Sequence, residues 1–563
     1  MESQLSTLLW STKGAQPFEI SQSIMLPAVL TAVFVLVYLN FQAAVYRRRK
    51  ILPGRRPVFP IGSLSTWNDL LKANKQILED SHSSSMPVAQ WVFLMESVAA
   101  VKAEHVQEIL RSSVSRTLSP KPLAVFAMYH IQKFMGPNSV GVAEGVEWKS
   151  HRKAIGKSLK PIYIRSLYKN MQECTGRIIT WLEGKSVAGA NKEYMSSERV
   201  QMGGVVVDVS KFLHALTLDI VCMTVFQEKL GAIAAIERSE PDEVVDAFKF
   251  ASDEMARRCS SMNPFDWLYW LSVRPSQQKL NKANKVIRER VQRIINRRIS
   301  RGFQNTDDDL LHHMLVEAKK KAMEGKRQSG ALTASDFTDP SISGVISDNV
   351  VTMMWAGHDT TASGLSFSLY RLAKHIHFQE RLREEIKKCK EENGLSPCEP
   401  LSHELVMRLP FLNAIVMETL RLHPPALWTN RGISKEITLY DNEGKGVTLP
   451  VGSSAFIPVY AVHHSEQNWK EPEIFMPERF LTTDGKQDTS RHHPYAFVPF
   501  GGGNRVCPGQ TLALFEFKTI LYTFIERFRF NLVQTGGVQH EPTISSCGMF
   551  QDCVDNRLLI TPC

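Results

Sequence analysis

Apolar positions recur every three or four residues along most of this chain, the period of helices that bury one face, and only short stretches alternate residue by residue as half-buried strands do. The helical period runs through Tyr163–Glu183, Val207–Phe226 and Glu243–Arg258, each read as amphipathic, and through Gln277–Arg301, which is long and strongly basic. Val88–Leu94 and Ala99–Lys102 alternate and read as short strands of a small sheet. Lys319–Thr338 is polar and lysine-rich, an exposed connector. Asp339 and Pro340 then supply an N-cap and a proline at the first helical position, and apolar spacing continues to about His375. One helix of roughly 35 residues results, long enough at ~1.5 Å per residue to cross a whole domain. Gln510–Phe528 reads as a last helix, amphipathic to buried. The pattern predicts a mainly α fold with a small β region.

Ile24–Tyr46 departs from that pattern, since its 23 residues are apolar apart from Pro27, Thr31, Asn40 and Gln42. They reach roughly 34 Å as a helix, enough to cross a bilayer. Arg47, Arg48, Arg49 and Lys50 follow at once, which places everything after residue 50 in the cytosol by the positive-inside rule. A cleaved signal peptide fits less well, because the basic cluster follows the apolar run and the run is long. The division expected is a lumenal tail over 1–20, a transmembrane signal anchor over 21–46, a basic, proline-rich linker over 47–62 and one globular domain over 63–563. Hydrophobic residues at 43% can fill a core of that size, and charged residues at 22% describe an ordinary soluble surface. Nine cysteines, odd in number, scattered and without zinc-like spacing, argue for reduced thiols. The net charge of +10 admits nucleic acid, an anionic membrane or an acidic protein, and no motif supports nucleic acid.

The candidate chemistry centres on Cys507, in the glycine-rich run Phe500-Gly-Gly-Gly-Asn-Arg-Val-Cys-Pro-Gly509 just ahead of the last helix. A helix N-terminus stabilises a thiolate, and the glycines let backbone approach a flat ligand. A lone cysteine is most often an inert core residue, so the run as a whole has to carry the argument. Near the centre of the long helix stands Ala356-Gly-His-Asp-Thr-Thr361, small residues beside an acid and two hydroxyls. Thr360 can bond back to a carbonyl one turn earlier and Asp359 can pass protons; alone, the same residues could simply bend a buried helix. Glu418 and Arg421 lie three apart among apolar flanks, which suggests a buried pair needing a further partner such as Arg479 of Pro477-Glu-Arg-Phe480. Histidine pairs at 312/313, 463/464 and 492/493 lack recurring acidic or cysteine partners and read as surface.

Phe500, Gly503, Arg505, Cys507 and Gly509 resemble the haem-binding signature of the cytochrome P450 superfamily, and the Ala356 string, Glu418 with Arg421, and Arg479 match its other motifs in order. The proline-rich linker is similar to the hinge of microsomal members. The resemblance implies a cytochrome P450 fold with an N-terminal transmembrane helix, with haem b bound by Cys507 as axial thiolate and O2 as co-substrate. It implies propionate contacts from Trp148, Arg152, Arg431 and Arg505, a haem face against Ala356, proton delivery by Asp359 and Thr360, and bracing of the cysteine loop by Glu418, Arg421 and Arg479. Bidentate guanidinium contacts explain why arginine suits a propionate. Pocket walls are expected from Phe126, Trp355, Leu427, Trp428, Met549 and Phe550, aromatic and apolar, to suit a terpenoid, steroid, alkaloid or fatty chain. Asn263–Leu271 matches the loop between two lid helices, where its aromatics could enter lipid or pack under a helix corner. Only 56 residues follow Cys507, so electrons are expected from a separate NADPH-cytochrome P450 reductase, with cytochrome b5 as a second donor, docking on the basic face of Lys149, Lys153, Lys157 and Lys160. The expectation is a single-pass endoplasmic reticulum monooxygenase with a cytosolic domain, in specialised metabolism. Two other readings stay open, a peroxide isomerase or dehydratase of the same fold needing no reductase, and a non-enzymatic haem-binding protein.

Overall fold

The computed structural model describes residues 70–82, 86–92, 95–112, 130–160, 165, 167–187, 204–260, 275–301, 309–316, 340–535, 538–547 and 550–563, with 35, 36 and 39 ahead of them. The expected membrane anchor 21–46, the linker 47–62, the aromatic loop 263–271 and the connector 319–338 therefore lie outside the described residues, apart from helical, exposed Val35, Leu36 and Leu39. No helix among the described residues is long and apolar enough to cross a membrane.

Helices dominate, in chain order α1 (Leu70–His82), α2 (Ala103–Ser112), α3 (Gly145–Ser158), α4 (Tyr168–Val187), α5 (Val209–Val225), α6 (Ala232–Arg238), α7 (Glu243–Ser260), α8 (Pro275–Arg301), α9 (Pro340–Lys374), α10 (Ile376–Glu392), α11 (His403–Arg408), α12 (Pro410–Leu422), α13 (Val459–His464) and α14 (Gln510–Arg527). Most match the sequence periodicity within a few residues. The helix expected from Val207 starts at Val209, because Val207 and Asp208 complete strand β3 (Val205–Asp208) and the Asp208 carboxylate caps the helix by accepting from the Ser210 N–H at 3.2 Å. Nor is α5 amphipathic. It is buried almost all round, packed against α9, α4 and α6, and its one acid, Asp219, turns inward to accept from the N–H groups of Gly231, Ala232 and Ile233 at the start of α6.

Strands β1 (Val88–Val92) and β2 (Met95–Ala99) form an antiparallel hairpin in a four-stranded sheet ordered β1-β2-β7-β4, completed by β4 (Thr429–Gly432) and β7 (Ser454–Ile457). The second strand expected at 99–102 thus lies earlier, where Glu96 and Ser97 interrupt the apolar alternation. Strands β5 (Ile437–Tyr440) and β6 (Gly446–Leu449) pair alone, as do β9 (Gln534–Thr535) and β10 (Val538–Gln539), β8 (Phe528–Leu532) joins β3 through β13 (Arg557–Pro562), and β11 (Thr543–Cys547) with β12 (Phe550–Val554) makes a C-terminal hairpin. One large apolar core unites α4, α5, α7, α8, α9, α12 and α14, with smaller clusters under the four-stranded sheet. The 35-residue α9 runs through that core, about 52 Å end to end.

Candidate active site

The loop before α14 is built backward from its glycines. Gly501 and Gly503 hold left-handed backbone at φ +71° and +64°, and a Cβ on Gly503 would lie 2.0 Å from the carbonyl oxygen of Leu110. That close approach seats the loop on α2. The Cys507 N–H then donates to the Phe500 carbonyl at 2.9 Å, and the half-buried thiol arrives three residues ahead of the first residue of α14, at the positive end of its dipole. Phe500 packs half-buried on the main core, and a Cβ on Gly509 would meet Cys507 Sγ at 3.9 Å.

On α12, Glu418 and Arg421 are both fully buried and joined by two hydrogen bonds, of 2.7 and 2.8 Å. Arg479 adds a third link to the Glu418 carboxylate at 3.3 Å and also donates to the carbonyls of Lys470 and Glu471. The histidine pair 463/464 is not at the surface as expected but almost fully buried. Arg421 donates to the His463 carbonyl, the His463 ring faces the Arg421 carbonyl at 3.1 Å, and its Nε2 accepts the Val498 N–H at 2.9 Å. His464 faces Glu473 and the Leu422 carbonyl at 2.8 and 3.0 Å. Such short polar links satisfy groups that burial would otherwise penalise, which is why two adjacent imidazoles can sit in a core.

Three of the expected arginines converge on the cysteine loop. Arg505 is buried, with its guanidinium 4.0 Å over the Trp148 ring, donating to the Ala143 carbonyl at 3.1 Å and to Glu144 at 2.5 Å. Arg431 on β4, fully buried, donates to the Gly502 carbonyl at 3.1 Å. Arg152, one turn beyond Trp148 on α3, has its pKa lowered by burial, and the negative charge of the nearby Cys507 thiolate opposes that shift.

On α9 the run Val350–Trp355 is buried, yet Ala356 is exposed and Gly357 half-buried, although they lie midway along a helix that crosses the core. Exposure at such a place requires open interior space beside it. Thr360 donates to the Ala356 carbonyl at 2.8 Å, the back-bond expected of it. Asp359, one residue before, points instead toward α5 and α7: Ser252 donates to it at 3.3 Å and His214 Nδ1 lies 3.6 Å away. Burial pushes the Asp359 carboxyl up to about 6, with His214 opposing the shift and Asp552 and Asp253 adding to it. His214, Ser252 and Asp552 had no local signal in the sequence; His214 and Asp552 are 338 residues apart.

The expected pocket residues separate into two groups. Trp355 is buried, donates to Ser252 at 3.0 Å, and stands edge-on to Phe134 and Phe550 at 5.2 and 5.1 Å. Leu427 is buried with Ala73 and Tyr460 in a satellite cluster, where half-buried Trp428 also meets Phe456 at 5.1 Å. Phe126 and Met549 lie outside the described residues.

A half-buried thiol at a helix start, glycine backbone seated without side chains, interior space beside Ala356 and three arginines around the loop together fit haem b: one soft ligand, a flat face and cations for two propionates. Residues 53–549 match the family model described as Cytochrome P450. Among curated proteins the chain is 28% identical over 427 residues to Cytochrome P450 4F2 of Homo sapiens, covering 75% of this chain and 74% of that one. It is 30% identical over 393 residues to Cytochrome P450 4F3 of Homo sapiens, covering 69% and 68%. It is 29% identical over 448 residues to Leukotriene-B4 omega-hydroxylase 3 of Mus musculus, covering 78% and 76%.

Proposed function

Because the chain belongs to the cytochrome P450 family, whose haem-thiolate monooxygenases use O2, we propose that it inserts one oxygen atom into a lipophilic small molecule with Cys507 as the thiolate ligand. The Phe500–Gly509 loop, which brings Cys507 to the start of α14 by a backbone only glycine can follow, carries this reading. Bound there, haem supplies the O2-activating chemistry. Cys507 would hold it, kept anionic by the α14 dipole and by Arg152; Trp148, Arg152, Arg431 and Arg505 would hold its propionates, and Ala356 would leave room for its face. Thr360 would order water in the groove that its back-bond opens, and Asp359, raised to about 6, would hold and release a proton near neutrality.

Of the four substrate classes expected, the fatty chain is the one that a relative's name supports, through the leukotriene hydroxylase of Mus musculus. The reading therefore takes a fatty chain as substrate, walled by Trp355 and Phe550, and draws nothing from those names for a setting in specialised metabolism. Electrons would come from a separate NADPH-dependent reductase, with cytochrome b5 as a second donor, docking on α3 where Lys149 and Lys153 are exposed, with exposed Lys160 just past its end. The apolar segment Ile24–Tyr46 and the cations after it support an endoplasmic reticulum anchor with a cytosolic domain. The test is the carbon monoxide difference spectrum of the dithionite-reduced, membrane-expressed protein beside Cys507→Ala. A strongly red-shifted Soret band that vanishes in the variant is expected. Wild-type protein replete in haem but lacking that band would overturn the assignment.

A further inference from the structure

Resting on the reading of Asp359 as the proton-delivering acid, we propose that His214 is a positioning residue for it, one buried imidazole that ties Asp359 on α9 to Asp552 on the C-terminal hairpin. The geometry is a bridge. His214 Nδ1 lies 3.6 Å from Asp359 Oδ1 and His214 Nε2 lies 3.3 Å from Asp552 Oδ2, while the residue itself is only 7% exposed. A carboxylate on each ring nitrogen is served by the doubly protonated ring, the one form that donates from both. Burial alone would strip that charge; the two carboxylates more than offset it, so the His214 pKa ends raised.

The other charged and titratable groups facing the pair come from α7 and α9. From α7, Lys249 lies 3.8 Å from Asp552 and works against the imidazolium, and Asp253 adds to the upward shift of Asp359. From α9, His358 has its ring 5.9 Å from that of His214 and is pushed to about 3 by burial, so it stays neutral. The donor atoms of His214, His358 and Asp359 lie within 4.8 Å of one another, but both nitrogens of His214 already face carboxylates and Nδ1 of His358 faces the Met354 carbonyl at 2.8 Å. The cluster is thus closed on itself by hydrogen bonds and charge, a clamp rather than a cation site.

Two consequences make it functional. The imidazolium is the larger of the two positive charges that oppose the rise of Asp359, Lys249 being the other, so it helps keep that acid able to ionise near neutrality in a place where burial would hold it protonated. It also fixes which way the carboxyl turns, toward α5 and away from the Thr360 back-bond. Asp552 follows Phe550 by two residues on β12, and Phe550 touches both Trp355 and, through a β-bridge, Ala426. The hairpin that carries a pocket wall therefore also carries the far anchor of the acid's partner.

Holoenzyme labelled with [13Cε1]-histidine provides the test, each variant first checked for unchanged haem content and carbon monoxide spectrum. The signal lost in His214→Asn should titrate above the ordinary imidazole range in the wild type and fall back in Asp552→Asn, which also serves if His214→Asn folds poorly. In parallel, reductase-driven NADPH oxidation is followed against pH. His214→Asn should move the limb that Asp359→Asn abolishes upward by about 1 pH unit or more. A His214 signal that titrates at or below the ordinary imidazole range, or a limb left unmoved by both His214→Asn and Asp552→Asn, would overturn the proposal while leaving Asp359 as the acid. An unchanged profile in Asp359→Asn would overturn the parent reading and this one with it.

Discussion

Glu418→Ala removes the buried anion that Arg421 and Arg479 share. In the native structure the Glu418 carboxylate accepts two hydrogen bonds from Arg421, one from the Met476 N–H at 2.9 Å and one from Arg479 at 3.3 Å. The remaining Arg421 donors reach the carbonyls of His463, Pro472 and Ile474 at 2.9, 2.7 and 3.2 Å. After truncation Arg421 keeps three carbonyls but stays in the core without its anion, and the Met476 N–H loses its acceptor. Stranding one partner of a buried pair costs about 3–5 kcal/mol, against roughly 5–15 kcal/mol of stability for a whole domain. At about 1.4 kcal/mol per decade the folding equilibrium shifts by roughly two to three and a half powers of ten. Removing both charges together, as Glu418→Leu with Arg421→Met, should cost clearly less than the two single truncations added, because no uncompensated charge remains. The assay is a urea midpoint with the carbon monoxide band as a second probe. Glu418→Ala should lower the midpoint and lose most of the band, with partial recovery in the double variant. A single variant within about 1 kcal/mol of wild type with a full band, or a double variant as costly as the sum, would refute the reasoning.

Gly503→Ala should abolish the haem-thiolate band, since its Cβ would lie 2.0 Å from the Leu110 carbonyl, whereas Gly501→Ala, with equally left-handed backbone but open space around it, should cost only about 1–2 kcal/mol; equal losses in both would contradict the seating of the loop on α2. Arg505→Lys gives up the bond to the Ala143 carbonyl and the planar stacking over Trp148, so haem retention through gel filtration should fall with little change in fold, and undiminished retention would count against the placement of this arginine. Burial holds the His463 pKa well below its ordinary value, so the unfolded chain takes up a proton that the folded one refuses, and the associated stability is present above about pH 6.5 and lost as pH falls below it. His463→Gln should flatten the acid-side slope of stability against pH by about 1.4 kcal/mol per pH unit, measured as urea midpoints between pH 7.5 and 5.5; an unchanged slope would show that the ring is protonated in the fold.

What could be read in the sequence, and what could not, follows from how far each signal reaches along the chain. The long helix α9 was legible from Pro340 to its end because its cues are local, a proline at the first position and apolar spacing over 35 residues. The cysteine loop was legible because ten adjacent residues must together make left-handed turns and start a helix, and only glycines allow it. Glu418 and Arg421 share one helical face, and their burial was inferred from apolar flanks. Apart from the shifted starts of β2 and α5, the failures are of longer range. His463 and His464 look like surface residues until Arg421 and Leu422, more than forty positions earlier, supply the carbonyls that satisfy them. Helix α5 has a helical period that reads as amphipathic, and only the start of α6 folding back onto Asp219 makes that carboxylate an interior cap. His214 is the extreme case, because its two partners come from α9 and β12 and neither lies near it in the chain. A buried charge becomes affordable only through groups that the fold delivers from elsewhere. The residues that shift the pKa of a buried acid are accordingly those that a reading by period and motif is least able to find, even when the acid itself, Asp359, stands in plain view.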